Sequence, residues 1–215
     1  MKNTLNKSGF TLMEIMIALG ILAVGLALVS TAFPSAMIEN KESVEKTMST
    51  LISENALAIC RIRLSHTSIK DSVGNALSDE NNLDLIPDAE QIYPIDSDSR
   101  YGWLLAIKQY DDNNDYLLVI VPYRKLLPDD QPPVFQTVTT DGSKITSGNI
   151  YIGSPVISKN DGSYATVVDN EGNLSVNITS GNAYIVAGRD SSGTIRTDVD
   201  SPAIGCYVAR TNILP

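Results

Sequence analysis

The sequence predicts an α+β protein: one long N-terminal α-helix, a transmembrane first half and an amphipathic second half, packed on a mostly antiparallel β-sheet. Three observations predict it. No charged residue appears from Ile15 to Ile38. Apolar residues at helical spacing then continue to about Leu64. Further on, short apolar runs alternate with turn dipeptides to the end of the chain.

The helix comes first. At about 1.5 Å per residue the uncharged run spans roughly 36 Å, enough to cross a hydrocarbon core. No small-residue A-x-A site closes it, so it reads as retained rather than discarded. After Pro34, the residues Val44, Met48, Leu51, Ile52, Asn55, Ile59 and Ile62 recur mostly three or four apart, with Glu39, Lys41, Glu42, Glu45 and Lys46 mostly off that stripe. One helix from about Phe10 to Leu64 follows, kinked at Pro34, where the ring removes a backbone hydrogen bond. Its one-sided second half needs a cover, which the downstream sheet is expected to supply.

Residues 65–99, rich in Ser, Asp, Asn and Pro, read as an irregular connector. The sheet region, 100–215, opens with WLLAIKQY (103–110) and YLLVIVPY (116–123) around the polar DDNND (111–115), a hairpin. Pro128, Pro132 and Pro133 keep 126–135 from being a central strand. Beyond it, NIYIGSPVI, SYATVVD, NLSVNI, NAYIVAG and IGCYVAR read as strands, separated by turns such as Asp141-Gly142 and Asp161-Gly162.

Composition narrows the function. The chain has 215 residues and a formal charge of −9, which gives no electrostatic reason to expect nucleic acid as a partner. A single histidine, His66, and two distant cysteines, Cys60 and Cys206, exclude a zinc-finger pattern. No Walker loop, dinucleotide fingerprint or GxSxG is present, and no carboxylate pair stands out, so no enzyme activity is expected. Lys2 and Lys7 precede the apolar run, so the N-terminus stays cytoplasmic and the C-terminal domain lies outside, as in a single-pass protein.

The stretch KSGFTLMEIMIALGILAVG strongly resembles the N-terminus of type IV prepilins and of the pseudopilins of type II secretion. The resemblance covers about the first 30 residues. It implies a leader, residues 1–9, removed by prepilin peptidase between Gly9 and Phe10, and N-methylation of the new terminus at Phe10. Residues 10–38 would be the transmembrane and filament-core half of the helix, and 39–215 the external domain. Glu14 would be the assembly residue, pairing in the filament with the amino terminus of a neighbouring subunit. The implied partners are the peptidase/methylase, other pilin or pseudopilin subunits and an inner-membrane assembly platform. The domain size and the run ILAVGL resemble minor subunits. Thr31 stands where the family commonly has proline, three residues before Pro34. The competing reading is a signal-anchored external binding module that never polymerises.

Other candidates carry less chemistry. Asp111, Asn113 and Asp115 alternate like the opening of a calcium loop, but the expected glycine is missing and Pro122 takes the place of the bidentate glutamate. A solvated turn is the simpler reading, so no cofactor is expected and calcium is the one candidate. Asp129 and Asp130 read as loop charges, and Tyr101, Trp103 and Tyr110 as packing residues. Cys60 and Cys206 either form a disulfide, stabilising by roughly 3–5 kcal/mol in the chain-entropy model, or remain two buried thiols.

Overall fold

The computed structural model describes residues 11–64, 86–87, 100–110, 115–148, 151–170, 173–196 and 201–212. The chain forms two compact units, Met1–Glu45 and Lys46–Pro215. A single helix, α1 (Leu12–Leu64), contributes to both.

In the first unit every residue from Thr11 to Val44 is exposed, so this stretch of helix has no protein core of its own. It belongs to a helix long and apolar enough to cross a membrane. The helix runs through Pro34 without interruption. Just upstream, the hydroxyls of Ser30 and Thr31 donate to the carbonyls of Leu26 (2.8 Å) and Leu28 (2.9 Å), which pairs both polar groups within the apolar segment.

The second unit is layered. Its first sheet has the order β1 (Ile86–Pro87), β2 (Tyr101–Tyr110), β3 (Asp115–Arg124), β11 (Tyr207–Asn212), all antiparallel. The second has the order β5 (Ile145–Ser147), β4 (Val134–Thr140), β10 (Gly181–Ala187), β6 (Pro155–Ser158), β7 (Tyr164–Thr166), again antiparallel. A small hairpin, β8 (Val168–Asn170) with β9 (Asn173–Ser175), completes the fold. The long β2–β3 hairpin and the strands at 182–187 and 207–210 stand where the sequence predicts them, whereas the proline-rich stretch is outside the sheet only as far as Pro133: Val134 and Phe135 open the interior strand β4 and pair with Ala187 and Val186 of β10. Two stacked sheets rather than one are the principal addition.

Alternation along β2 and β3 explains the stacking, because successive side chains point to opposite faces. Trp103, Leu105, Ile107, Tyr116, Leu118 and Ile120 meet Ile52, Ala56, Leu57 and Cys60 of α1. Their neighbours Leu104, Ala106, Leu117, Val119, Val121 and Tyr123 meet Ile157, Tyr184 and Val186 of the second sheet. The first sheet is thus buried on both faces, which accounts for the near-continuous apolar runs of its two central strands. The second sheet's outer face is closed by Tyr151, Val167, Val176 and Ile178. Pro122 is tolerated in a central strand because it lies beyond Ile120, the last residue of β3 paired with β11.

One expectation needs correction. The sheet covers only part of the expected stripe: Ile52 packs on it, whereas Leu51, Asn55, Ile59 and Ile62 are exposed. The helix instead turns its smaller residues inward, with Ser53, Ala56 and Cys60 buried. Small side chains let the helix sit close on a sheet already crowded with leucine and isoleucine. Of the two readings left open for the cysteines, the structure has free thiols, Cys60 buried and Cys206 half-buried. Cys60 packs on the helix side of the first sheet and Cys206 on the side facing the second sheet, so the sheet itself separates them. Burial pushes the Cys206 thiol up to about 12, which leaves it a poor nucleophile.

Close approach is specified at Gly205, where a Cβ would collide with Ser49 Oγ and stand 3.3 Å from Ser49 Cβ. Gly162, at φ 68°, combines a left-handed turn with a site where a Cβ would strike Leu117. Its predecessor Asp161 belongs to a recurring device. Asp141 Oδ1 accepts from Ser143 N, Ser143 Oγ and Lys144 N, each at 2.9 Å. Asp161 Oδ1 accepts from Ser163 N (3.0 Å) and Oγ (2.7 Å). Asp190 Oδ1 accepts from Ser192 N (2.9 Å), Ser192 Oγ (2.6 Å) and Thr194 N (2.9 Å). Each carboxylate replaces backbone partners that a tight turn cannot supply.

Gly205→Ala is expected to lower stability by about 1–3 kcal/mol through overpacking, measured by urea unfolding of the full chain in detergent. Ser49→Gly in the same chain should recover much of that loss.

The three turn carboxylates carry an acid limb. The Ser143 amide leads in holding Asp141 low, and the Ser192 hydroxyl in holding Asp190 low. At Asp161 burial pushes upward, but the Ser163 and Ser158 hydroxyls outweigh it. All three lie below the ordinary 3.8, so their contribution is complete above that value and lost as pH falls through the lower folded values. Unfolding titrations should show a fall in stability below about pH 4. Asp141→Asn, Asp161→Asn and Asp190→Asn together should flatten it.

Candidate functional site

The helix begins at a polar pair. Thr11 is non-helical and Glu14 lies in the first turn of α1. The Thr11 amide and the Thr11 hydroxyl both donate to Glu14 Oε2, each at 2.9 Å. In return the Glu14 amide points to Thr11 Oγ1 at 3.4 Å and to the Thr11 carbonyl at 3.1 Å, and the Ile15 amide reaches that carbonyl at 3.3 Å. This is a capping box: an N-cap hydroxyl and an acid at the third helical position satisfying amides that have no intrahelical acceptor. The carboxylate also stands at the positive end of the helix dipole.

That geometry bears on why an acid opens an apolar helix. An ionised carboxylate at a helix centre in lipid costs of the order of 2.5–3.5 kcal/mol. Here the charge sits at the end, with two donors from its own chain. Glu14 therefore has a partner within the single subunit, a role the spacing Thr11-x-x-Glu14 spells out but which the pairing with a second subunit overshadowed. Gly9 and Phe10 lie outside the described residues.

Comparison with known proteins decides what this segment is. Residues 4–30 match a family model described as the prokaryotic N-terminal methylation motif. The chain carries the hallmark of the type IV prepilin and pseudopilin family. No match was found among curated proteins or among solved structures. The motif supports a precursor of the type IV pilin-like kind that prepilin peptidase processes, and the apolar helix behind it is consistent with a single-pass membrane anchor.

Other candidate residues have structural partners. Arg210 donates through Nε to Asp115 Oδ2 at 2.7 Å, and its Nη2 reaches the same oxygen. A guanidinium thus holds the one described member of the Asp111, Asn113 and Asp115 set, since Asp111 and Asn113 lie outside the described residues. Among the described residues, no group of three His, Cys, Asp or Glu comes together as metal ligands would. Asp130 is buried; it pairs with Arg196 Nη2 at 2.7 Å and accepts from Leu127 N at 2.9 Å. Arg189 Nε donates to Pro132 O at 2.7 Å, so two arginines tie the proline-rich loop to the loop after β10. Trp103 is buried against the helix, as a packing residue should be. His66 lies outside the described residues.

Thr11→Ala is expected to weaken the first turn by about 0.5–2 kcal/mol. Amide exchange at Glu14 and Ile15, read by NMR on the full chain in micelles, should accelerate accordingly, with residues beyond the second turn unchanged.

Proposed function

We propose that this chain is a minor pilin or pseudopilin subunit, cleaved between Gly9 and Phe10, N-methylated at Phe10 and assembled into a type IV pilus or a type II secretion pseudopilus. The observation that carries the reading is the methylation motif at the head of a helix exposed and uncharged from Ile15 to Ile38. Such a segment is stable in lipid, and the same apolar surface suits a bundle of like helices once extracted. Residues outside the membrane would present an acidic domain to neighbouring subunits or cargo. Catalysis forms no part of this role.

Glu14 serves assembly. Both donors from Thr11 converge on Oε2, which leaves Oε1 to face an incoming ammonium. The amine freed at Phe10 of a neighbour supplies that charge, and in a low-dielectric setting the pair is weakly screened and sets register.

Intact mass and N-terminal sequencing of the chain from its native membrane should give a start at N-methylated Phe10. Glu14→Ala should then be processed normally yet fail to enter filaments. A start at Met1 with an active peptidase would leave a tethered external module instead.

A further inference from the structure

Three Asn-x-Ser/Thr sequences occur in the chain, and the fold sets them apart. Asn6-Lys7-Ser8 precedes the apolar helix, so an anchored chain holds it across the membrane from the second unit. Asn173-Leu174-Ser175 coincides with β9, where Asn173 pairs with Asn170 and Ser175 is half-buried. Asn177-Ile178-Thr179 lies between β9 and β10 and belongs to no strand.

In the third sequence both polar residues, Asn177 and Thr179, are exposed. Val176 and Ile178 alternate with them and are buried, at 2% and 8% exposure. The same two residues fix the backbone. Val176 N donates to Ser143 O at 2.8 Å, and Ile178 N to Gly142 O at 3.3 Å. The segment is therefore anchored through its apolar residues, and a group added at Asn177 displaces none of them. A surface asparagine with a hydroxyl two residues on, and no proline between, is the acceptor pattern for N-linked carbohydrate. The spacing has a chemical reason. An amide nitrogen shares its lone pair with the carbonyl and is a poor nucleophile, so a transferase must also grip the hydroxyl to hold it in place.

We propose that Asn177 is an N-glycosylation site that takes an oligosaccharide from a polyprenyl pyrophosphate donor. Asn177 Nδ2 bonds to the anomeric carbon of the first sugar. The bond from that carbon to the pyrophosphate oxygen breaks, and the polyprenyl pyrophosphate leaves with the electron pair. One Nδ2 proton passes to a carboxylate of the transferase. The proposal rests on the second unit lying outside the membrane, and not on filament assembly. A glycan is bulky and hydrated, so it would keep the turns at 141–144 and 177–180 clear of neighbouring chains.

The test is intact-mass and glycopeptide measurement on the full chain purified from its native membrane. One oligosaccharide per chain is expected, on the peptide that contains Asn177. Asn177→Gln and Thr179→Ala should each abolish it, Thr179→Ser should keep most of it, and Asn173→Gln should leave it unchanged. A bare Asn177 in the native chain would overturn the proposal, as would a glycan that survives Asn177→Gln. Sidedness is read separately, in the full chain with Cys60→Ala and Cys206→Ala. There Ser191→Cys, at an exposed position, should react with a membrane-impermeant maleimide in sealed right-side-out vesicles. Labelling without a glycan overturns the glycosylation site and leaves the external placement standing; no labelling overturns both.

Discussion

The external unit depends on a sheet that must be covered twice. Leu104 to Ile107 and Leu117 to Val121 place apolar side chains on both faces of β2 and β3, so neither face can be left to water. The helix covers one face and the second sheet the other. At roughly 25 cal/mol per Å² of apolar surface, a side chain such as Leu118 or Val119 contributes about 1.5–3 kcal/mol by full burial. The remaining features serve this closure. Gly205 lets the loop before β11 approach Ser49, and the arginine-tied loops hold the strand ends of the second sheet.

The same closure shapes the helix. Small residues face the sheet at Ser53 and Ala56, and larger ones are left outward at Leu51 and Ile62. The observed arrangement brings the sheet close to the helix.

Much of this was legible in the sequence, for identifiable reasons. Helix length followed from charge exclusion and from spacing; the hairpin followed from two apolar runs around DDNND. The methylation motif was readable because it fixes particular residues at set offsets. Which apolar stripe meets the sheet was not readable, since hydrophobic spacing marks Leu51 and Ile62 as strongly as Ile52 and cannot see that Ser53 and Ala56 fit more closely. The side of the sheet on which Cys206 falls depends on the register of β11 against β3, which is a long-range pairing. The bond between Thr11 and Glu14 is a feature the structure adds, although the Thr11-x-x-Glu14 spacing is that of a capping box.

The capping box has a consequence for maturation. Thr11 and Glu14 both lie on the product side of a cut between Gly9 and Phe10, and none of their bonds to each other involves the leader. Proteolysis there would alter the terminus without unravelling the helix behind it. The precursor's helix would already have its finished beginning, and maturation could be a change of charge alone, with no refolding step to delay the next subunit.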